Sequence, residues 1–210
     1  LIMSEGDNKT LAALRAIDST APLYYEIGRF IIWFATAENF FHLLLGFLAG
    51  LEESRARAIF GGMGLSDMMG NVQRLLRITV ISDKNIHNIK SIIDRMQSIA
   101  ILRDAIVHKH TELFTETLSA SSMFSAKTRE SIQVINTDIK NLNAASEDLG
   151  KIAMRIHLIV NPSYASHLSN ETLKTTYSPW RYKSVQPDMP LKPRAIKNQK
   201  RSLPHRSSRR

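Results

Sequence analysis

Residues 132–160 read IQVINTDIKNLNAASEDLGKIAMRIHLIV, the most regular pattern in the chain. Apolar side chains fall at Ile132, Ile135, Ile139, Leu142, Leu149, Ala153, Ile156 and Val160, in alternating steps of three and four. Ser146 is the single departure from this seam. A helical turn of 3.6 residues returns such positions to one face, so the stretch predicts a long helix lying along another helix. The spacing serves equally for a core within one chain or a seam between two copies.

Working outward, residues 23–51 carry apolar side chains at Phe30, Trp33, Phe34, Ala37, Phe40, Phe41, Leu44, Leu48 and Leu51. The broad apolar face suits a helix buried on more than one side. The run from Phe30 to Gly50 has the length of a membrane span, but Glu38, Asn39 and His42 stand near its middle. A central carboxylate costs about 2.5–3.5 kcal/mol on insertion scales, so a buried bundle helix is expected and a membrane span is the weaker alternative. Gly61-Gly62-Met63-Gly64 lacks the preceding strand and the Lys-Ser/Thr ending of a phosphate cradle and reads as a turn between helices. Ser66 and Ser82 or Asp83 offer caps for two further helices, the second running to about His110. A Ser/Thr-rich joint follows at 115–125.

No sustained period-two alternation and no Asn-Gly or Asp-Gly turn suggests a strand. The expectation is therefore an all-α helical bundle of about four principal helices. Residues 1–22 are expected to be a loose lead-in, with a short helix at 9–17 ending before Pro22. Residues 23–160 form the bundle, and 161–210 form a basic, Pro/Ser-rich, disordered tail.

The 43% apolar content excludes wholesale disorder. The absence of cysteine removes disulfides, thiolate metal sites and cysteine nucleophiles, and suits a reducing compartment. With no secretory pattern near residue 1, a cytoplasmic location is expected. Charge is unevenly placed. From Asn161 onward there are eleven Lys/Arg against two acids, leaving 17 of each sign before it. Six of the seven prolines lie in the same region. Tyr177, Trp180, Arg181, Tyr182 and Lys183 interleave rings and cations, so Arg181, Lys183 and Trp180 are candidates for binding RNA through phosphate contact and base stacking. A merely solubilising tail is the alternative.

Arg103 is the residue that does not fit its helix. On a wheel for residues 82–110, the apolar arc centres between Met96 and Ala100, with Arg103 near its middle. A guanidinium there needs an anion, a carboxylate or solvent in a cleft. Glu38 is the internal carboxylate best placed to meet it, unless it forms an ordinary i,i+4 surface pair with His42. His108 follows five residues later, about 140° around and 7.5 Å along an ideal helix, while Asp104 shares the face of His108. A structural arginine and a surface histidine favoured by the helix dipole would account for the same pattern. His108 and His110 point apart on a helix and have no third ligand motif, so no metal is expected.

The stretch Leu102-Arg103-Asp104-Ala105-Ile106-Val107-His108 resembles the signature of the HEPN family: an arginine, a polar residue, three mostly apolar residues and a histidine, late in a long bundle helix. The helix at 24–51 is similar to the leading helix of HEPN-like bacterial proteins. The resemblance covers about residues 23–160. Some members carry a tyrosine two positions after the histidine, where this chain has His110.

The resemblance implies an antiparallel helical bundle that pairs as a homodimer with a composite cleft, and metal-independent RNA cleavage, the 2′-hydroxyl attacking its own phosphodiester. No cofactor is implied. His108 would be general acid or base, since histidine titrates near working pH. Arg103 would hold the phosphate, and Asp104 would orient the imidazole. The resemblance equally admits a non-catalytic interaction or assembly module, whose basic tail contacts nucleic acid or a partner protein.

Overall fold

Helix α1 (Glu5–Leu48) runs straight through Pro22, which the sequence marked as a stop. In this computed structural model the described residues are 5–113, 116–122 and 133–185. An interior proline removes one helical hydrogen bond and costs about 3 kcal/mol in an unsupported helix. Here the next residue, Leu23, is wholly buried, as are Phe30, Ala37, Phe41, Leu44 and Leu45 further along. The packing of this stripe holds the register across the proline, so residues 5–22 belong to α1 and are not a separate lead-in. Gly50, at φ +64°, supplies the left-handed residue that ends the helix region.

Two short helices follow, α2 (Glu53–Phe60) and α3 (Leu65–Leu75). Ala56 of α2 lies so close to Gly46 that a Cβ on the glycine would meet the alanine Cβ at 2.8 Å. Helix α3 opens after Gly64, two positions earlier than a Ser66 cap would place it. Helix α4 (Asp83–His108) is capped as expected: the Ser82 hydroxyl accepts the Asn85 N–H at 3.3 Å.

Strand β1 (His110–Leu113) precedes the region expected to be a joint and β2 (Thr117–Ser121) lies within it; with β3 (Val134–Asp138) they form an antiparallel sheet of order β1-β2-β3. Leu113 pairs with Leu118 and Ala120 with Ile135. Leu118, Ala120, Ile135 and Thr137 face the core. The all-α expectation therefore fails locally. Each strand offers only one or two inward positions, too few to reveal period two, and Ile135 to Ile139 mimics a heptad step.

Helix α5 (Ile139–Val160) starts where Asp138 accepts the Asn141 N–H at 2.7 Å. Its seam is buried from Leu142 to Ile156 and half-buried at Ile139 and Val160, while Ile132 lies outside the described residues; Ser146 is accommodated by donating to the Leu142 carbonyl. Helix α5 packs chiefly against α1, and the two run parallel. Arg29 reaches Asn143, Trp33 lies against Gly150, and Phe40 meets His157. Gly150, having no side chain, lets the Trp33 ring lie against the backbone of α5. Helix α4 runs the other way, with Thr79 bonded to the Leu48 carbonyl near its start and Arg103 over Phe34 near its end. The bundle is thus of mixed direction, not antiparallel throughout. Residues 19–48 are long and apolar enough to cross a membrane by length and composition, yet their main apolar stripe forms this core.

Residues 161–185 pack onto the bundle as a 3-10 turn (Pro162–His167), helix α6 (Asn170–Thr176) and an extended strap. The expected disordered tail therefore does not begin at 161; residues 186–210 lie outside the described residues. The strap is held through its main chain. Both oxygens of Asp148, which is fully buried, accept the Arg181 N–H, and one also accepts the Tyr182 N–H at 2.9 Å. Lys151 lies 3.2 Å and Arg95 3.8 Å from the same carboxylate. Lys151 donates to the Pro179 carbonyl, Arg95 to that of Tyr182, and Arg155 to those of Thr176 and Ser178. Burial lowers the pKa of Arg155 from its ordinary value, an effect opposed by Tyr177 and Asp148.

Two outcomes are expected of this anchor. Asp148→Asn leaves two cations without their buried counter-charge and should cost about 3–5 kcal/mol of stability, read from urea unfolding; a loss below about 1 kcal/mol would refute the anchoring role. Burial also pushes the Tyr182 phenol above its ordinary 10.0. Its neutral form is favoured in the fold, so that stabilisation is complete below 10.0 and is lost as pH rises toward the higher folded value. Wild type should lose stability in that alkaline window more steeply than Tyr182→Phe, and identical alkaline curves would remove Tyr182 as the cause.

Candidate active site at the end of helix α4

The face that α4 buries rotates along its length, and this rotation places Arg103. Ile89, Ile92, Ile93 and Met96 define the buried side of the first half. After Met96 the buried positions are Ile99, Leu102 and Ala105, each three residues on. A three-residue step falls about 60° short of a full turn, so the apolar stripe drifts away from Arg103. The wheel assumed a straight stripe and put Arg103 in its middle. In the structure Arg103 stands on the rim, with its side chain 34% exposed.

Its guanidinium is held from several directions. Nη1 donates to Asp104 Oδ1 at 2.9 Å and lies 3.3 Å from His108 Nε2. Cζ sits 5.4 Å from the centroid of the Phe34 ring on α1. The long side chain thus spans the 7.5 Å of rise that separates Arg103 from His108 on an ideal helix. An arginine N–H can only donate, so this contact makes Nε2 the acceptor and leaves the imidazole proton on Nδ1. His108 is the last residue of the helix and is solvent-exposed. Lys109, extended at φ −106° and ψ 159°, turns the chain directly into β1.

The sequence thus brings Arg103, Asp104 and His108 together, with one change of role. Asp104 was expected to orient the imidazole; its carboxylate instead bonds Arg103, and among the described residues no hydrogen bond joins it to His108. Glu38 stands half-buried one turn beyond Phe34, and the carboxylate that meets Arg103 is Asp104 instead. Phe34 was recognised in the sequence only as a core position. Nothing in its spacing distinguishes a ring beneath a guanidinium from a ring beneath a leucine.

The other candidates lie elsewhere. Trp180 is packed into the strap: its Nε1 donates to Ser91 at 3.0 Å, and its ring lies 4.0 Å from Arg155 Cζ and 5.5 Å from Arg95 Cζ. Arg181 pairs with Glu147 at 2.7 Å. The Lys183 main chain bonds Asn141, while the residue as a whole is exposed. Arg95 and Arg103 are eight residues apart, about 12 Å along the axis, so the strap does not join the Arg103–His108 cluster. Arg181 and Lys183 instead border an open cleft of about 780 Å³ between the strap, β2, β3 and the start of α5. A second cleft of about 690 Å³ lies between α1, α2 and the end of α5. Neither is lined by Arg103 or His108. Among the described residues no three His, Asp or Glu side chains are grouped to hold a metal ion.

No protein-family model, curated protein or solved structure matches this chain.

What the site can do follows from its groups: an acceptor nitrogen beside a cation on an open surface. The tautomer is directly measurable. Long-range ¹H–¹⁵N spectra near neutral pH should show His108 protonated on Nδ1 in wild type and shifted toward Nε2 in Arg103→Ala. A ring unchanged by that substitution would mean the 3.3 Å contact does not govern it.

Proposed function

We propose that this chain is an HEPN-like endoribonuclease that cleaves RNA without metal, using Arg103 and His108. The observation that carries the proposal is the approach of Arg103 Nη1 to His108 Nε2, 3.3 Å apart on the exposed rim. Two residues placed far around an ideal helix have converged where a substrate can reach them. At that distance the contact is at the long edge of hydrogen bonding, so a ribose 2′-hydroxyl can replace the guanidinium at Nε2. His108 then takes the 2′-hydroxyl proton as the 2′-oxygen bonds to phosphorus and the bond to the 5′-oxygen breaks. The products are a 2′,3′-cyclic phosphate and a 5′-hydroxyl. Arg103 balances the charge that develops on the phosphorane oxygens.

The leaving oxygen needs a proton, and the same histidine of a second copy would supply it across a homodimer cleft. Ile101 and Val107, 45% and 47% exposed on the outer face beside Asp104, are apolar surface suited to such an interface. The basic region after Val185 would add salt-dependent affinity for RNA, and Lys183 stands at its root. The docked Trp180 and the paired Arg181 are the weaker members of that set. A cytoplasmic location accords with RNA as substrate.

A second reading, a non-catalytic assembly module that binds a partner protein, is favoured by one feature. Helix α1 leaves Tyr24, Ile32, Leu43 and Phe47 exposed along its outer side.

The deciding experiment incubates a mixture of end-labelled RNAs with wild type and His108→Ala in EDTA, after confirming matched circular dichroism and melting. The proposal expects wild-type cleavage with cyclic-phosphate ends and a loss of at least about 100-fold in the variant. Equal cleavage by both proteins would show a contaminant or another site, and no wild-type cleavage across the set would favour the assembly module.

A further inference from the structure

Among the described residues, Arg103 bonds through only one of its nitrogens. Nη1 serves both Asp104 and His108, while among the described residues Nε and Nη2 have no acceptor. The unused edge, Nε with Nη2, is the fork that binds two oxygens of one phosphate in parallel. An arginine on a helix rim would ordinarily sample many rotamers, and a free fork would then point nowhere in particular. Here the Asp104 and His108 contacts fix one edge, and the Phe34 ring lies 5.4 Å from Cζ. Phe34 is itself immobilised, 4% exposed and tilted at 54° against Phe30 with centroids 6.3 Å apart.

We infer that Phe34 is a positioning residue: its ring is the floor on which the Arg103 guanidinium rests, so that the Nε–Nη2 edge is presented to an incoming phosphodiester. The inference deepens the proposed function and rests on it for the identity of the anion, though the anion site itself does not require catalysis. The ring also attracts the cation electrostatically, which aliphatic side chains of similar volume do not. Phe34 therefore acts on RNA only through Arg103.

The test uses full-length wild type, Phe34→Leu, Phe34→Met and Phe34→Tyr, with Arg103→Lys to assign the Arg103 Nε–H resonance. Two probes are titrated: inorganic phosphate, and a short RNA carrying a single 2′-deoxy substitution that blocks cleavage. In wild type the Nε–H signal should be displaced by the ring current and should shift further on addition of either probe. Leu and Met should each abolish the ring-current displacement and weaken probe affinity at this resonance by about three- to tenfold. Tyr should restore both, which loss of core packing alone would not predict. If the Leu variant does not fold, Met gives the same reading. With cleavable RNA, the loss in Leu or Met should fall on KM as well as kcat.

Failures of the two ideas separate cleanly. Should wild type cleave nothing while phosphate still moves Arg103 Nε–H in a Phe34-dependent way, the nuclease reading fails and the anion site stands. Should His108-dependent cleavage occur with Leu and Met matching wild type in kinetics and titration, the positioning role of Phe34 is overturned. The absence of any phosphate-induced shift at Arg103 in wild type would overturn it as well.

Discussion

The carboxylate of Asp148 is buried with no access to water, and much of the architecture is what satisfies it. Two backbone N–H groups of the strap, Lys151 from its own helix and Arg95 from α4 all approach it. An anion in that setting is costly unless each side of it is answered. The answer ties three separate parts of the chain together. Arg95 joins α4 to α5, the N–H groups of Arg181 and Tyr182 fasten the strap over both, and Trp180 closes the remaining space between Arg155 and Arg95. The strap in turn gives Lys151, Arg95 and Arg155 carbonyl oxygens to bond, so the buried cations are matched as well. Removing either side leaves the other exposed to the full desolvation penalty.

This mutual dependence explains why the boundary at 161 was not legible. Composition placed the whole of 161–210 in a basic tail, because proline, serine and cations dominate it. What folds residues 161–185 is main-chain hydrogen bonding to charged side chains on two distant helices, and main-chain groups leave no mark on composition. Asp148, Lys151 and Arg155 lie off the apolar seam of α5. Their burial depends on a partner segment that the heptad pattern does not contain. The same limit applies at Ile135, whose inward direction is shared by a strand and a helix seam. At Pro22 a local stop signal was outweighed by the packing of Leu23.

The long helices were legible because their signal is repeated many times over. The seam from Leu142 to Ile156 and the α1 stripe from Phe30 to Leu48 each carry several independent apolar positions, and most are buried as the spacing requires, although Trp33 is 38% exposed and Phe40 only half-buried. Direction was not legible. Spacing says that two helices pack together, not which way they run, and the parallel pairing of α1 with α5 emerges only from contacts such as Arg29 with Asn143. The antiparallel expectation came with the family resemblance and not from the spacing, and the α1–α5 pair is separated by the entire middle of the chain.

The Arg103–His108 pair was visible as an anomaly for a reason that proved only half right. The arginine does conflict with the apolar pattern of α4, but the helix resolves the conflict by turning its buried face, not by burying the charge. That solution has a consequence for chemistry. A guanidinium sunk in the core would be saturated by internal partners, and one fully in solvent would be unrestrained. On the rim, over Phe34 and tethered through Nη1, its Nε–Nη2 edge has no acceptor among the described residues. The imidazole beside it is on the last residue of the helix, where the backbone leaves for β1 and crowds it least. Because the two large clefts beside the strap and beside α2 lie away from this pair, a substrate held by it would rest on the exposed rim and not in either cleft. Enclosure would then have to come from another molecule, and the exposed Ile101 and Val107 on the same outer face are the chemistry through which a second copy would provide it.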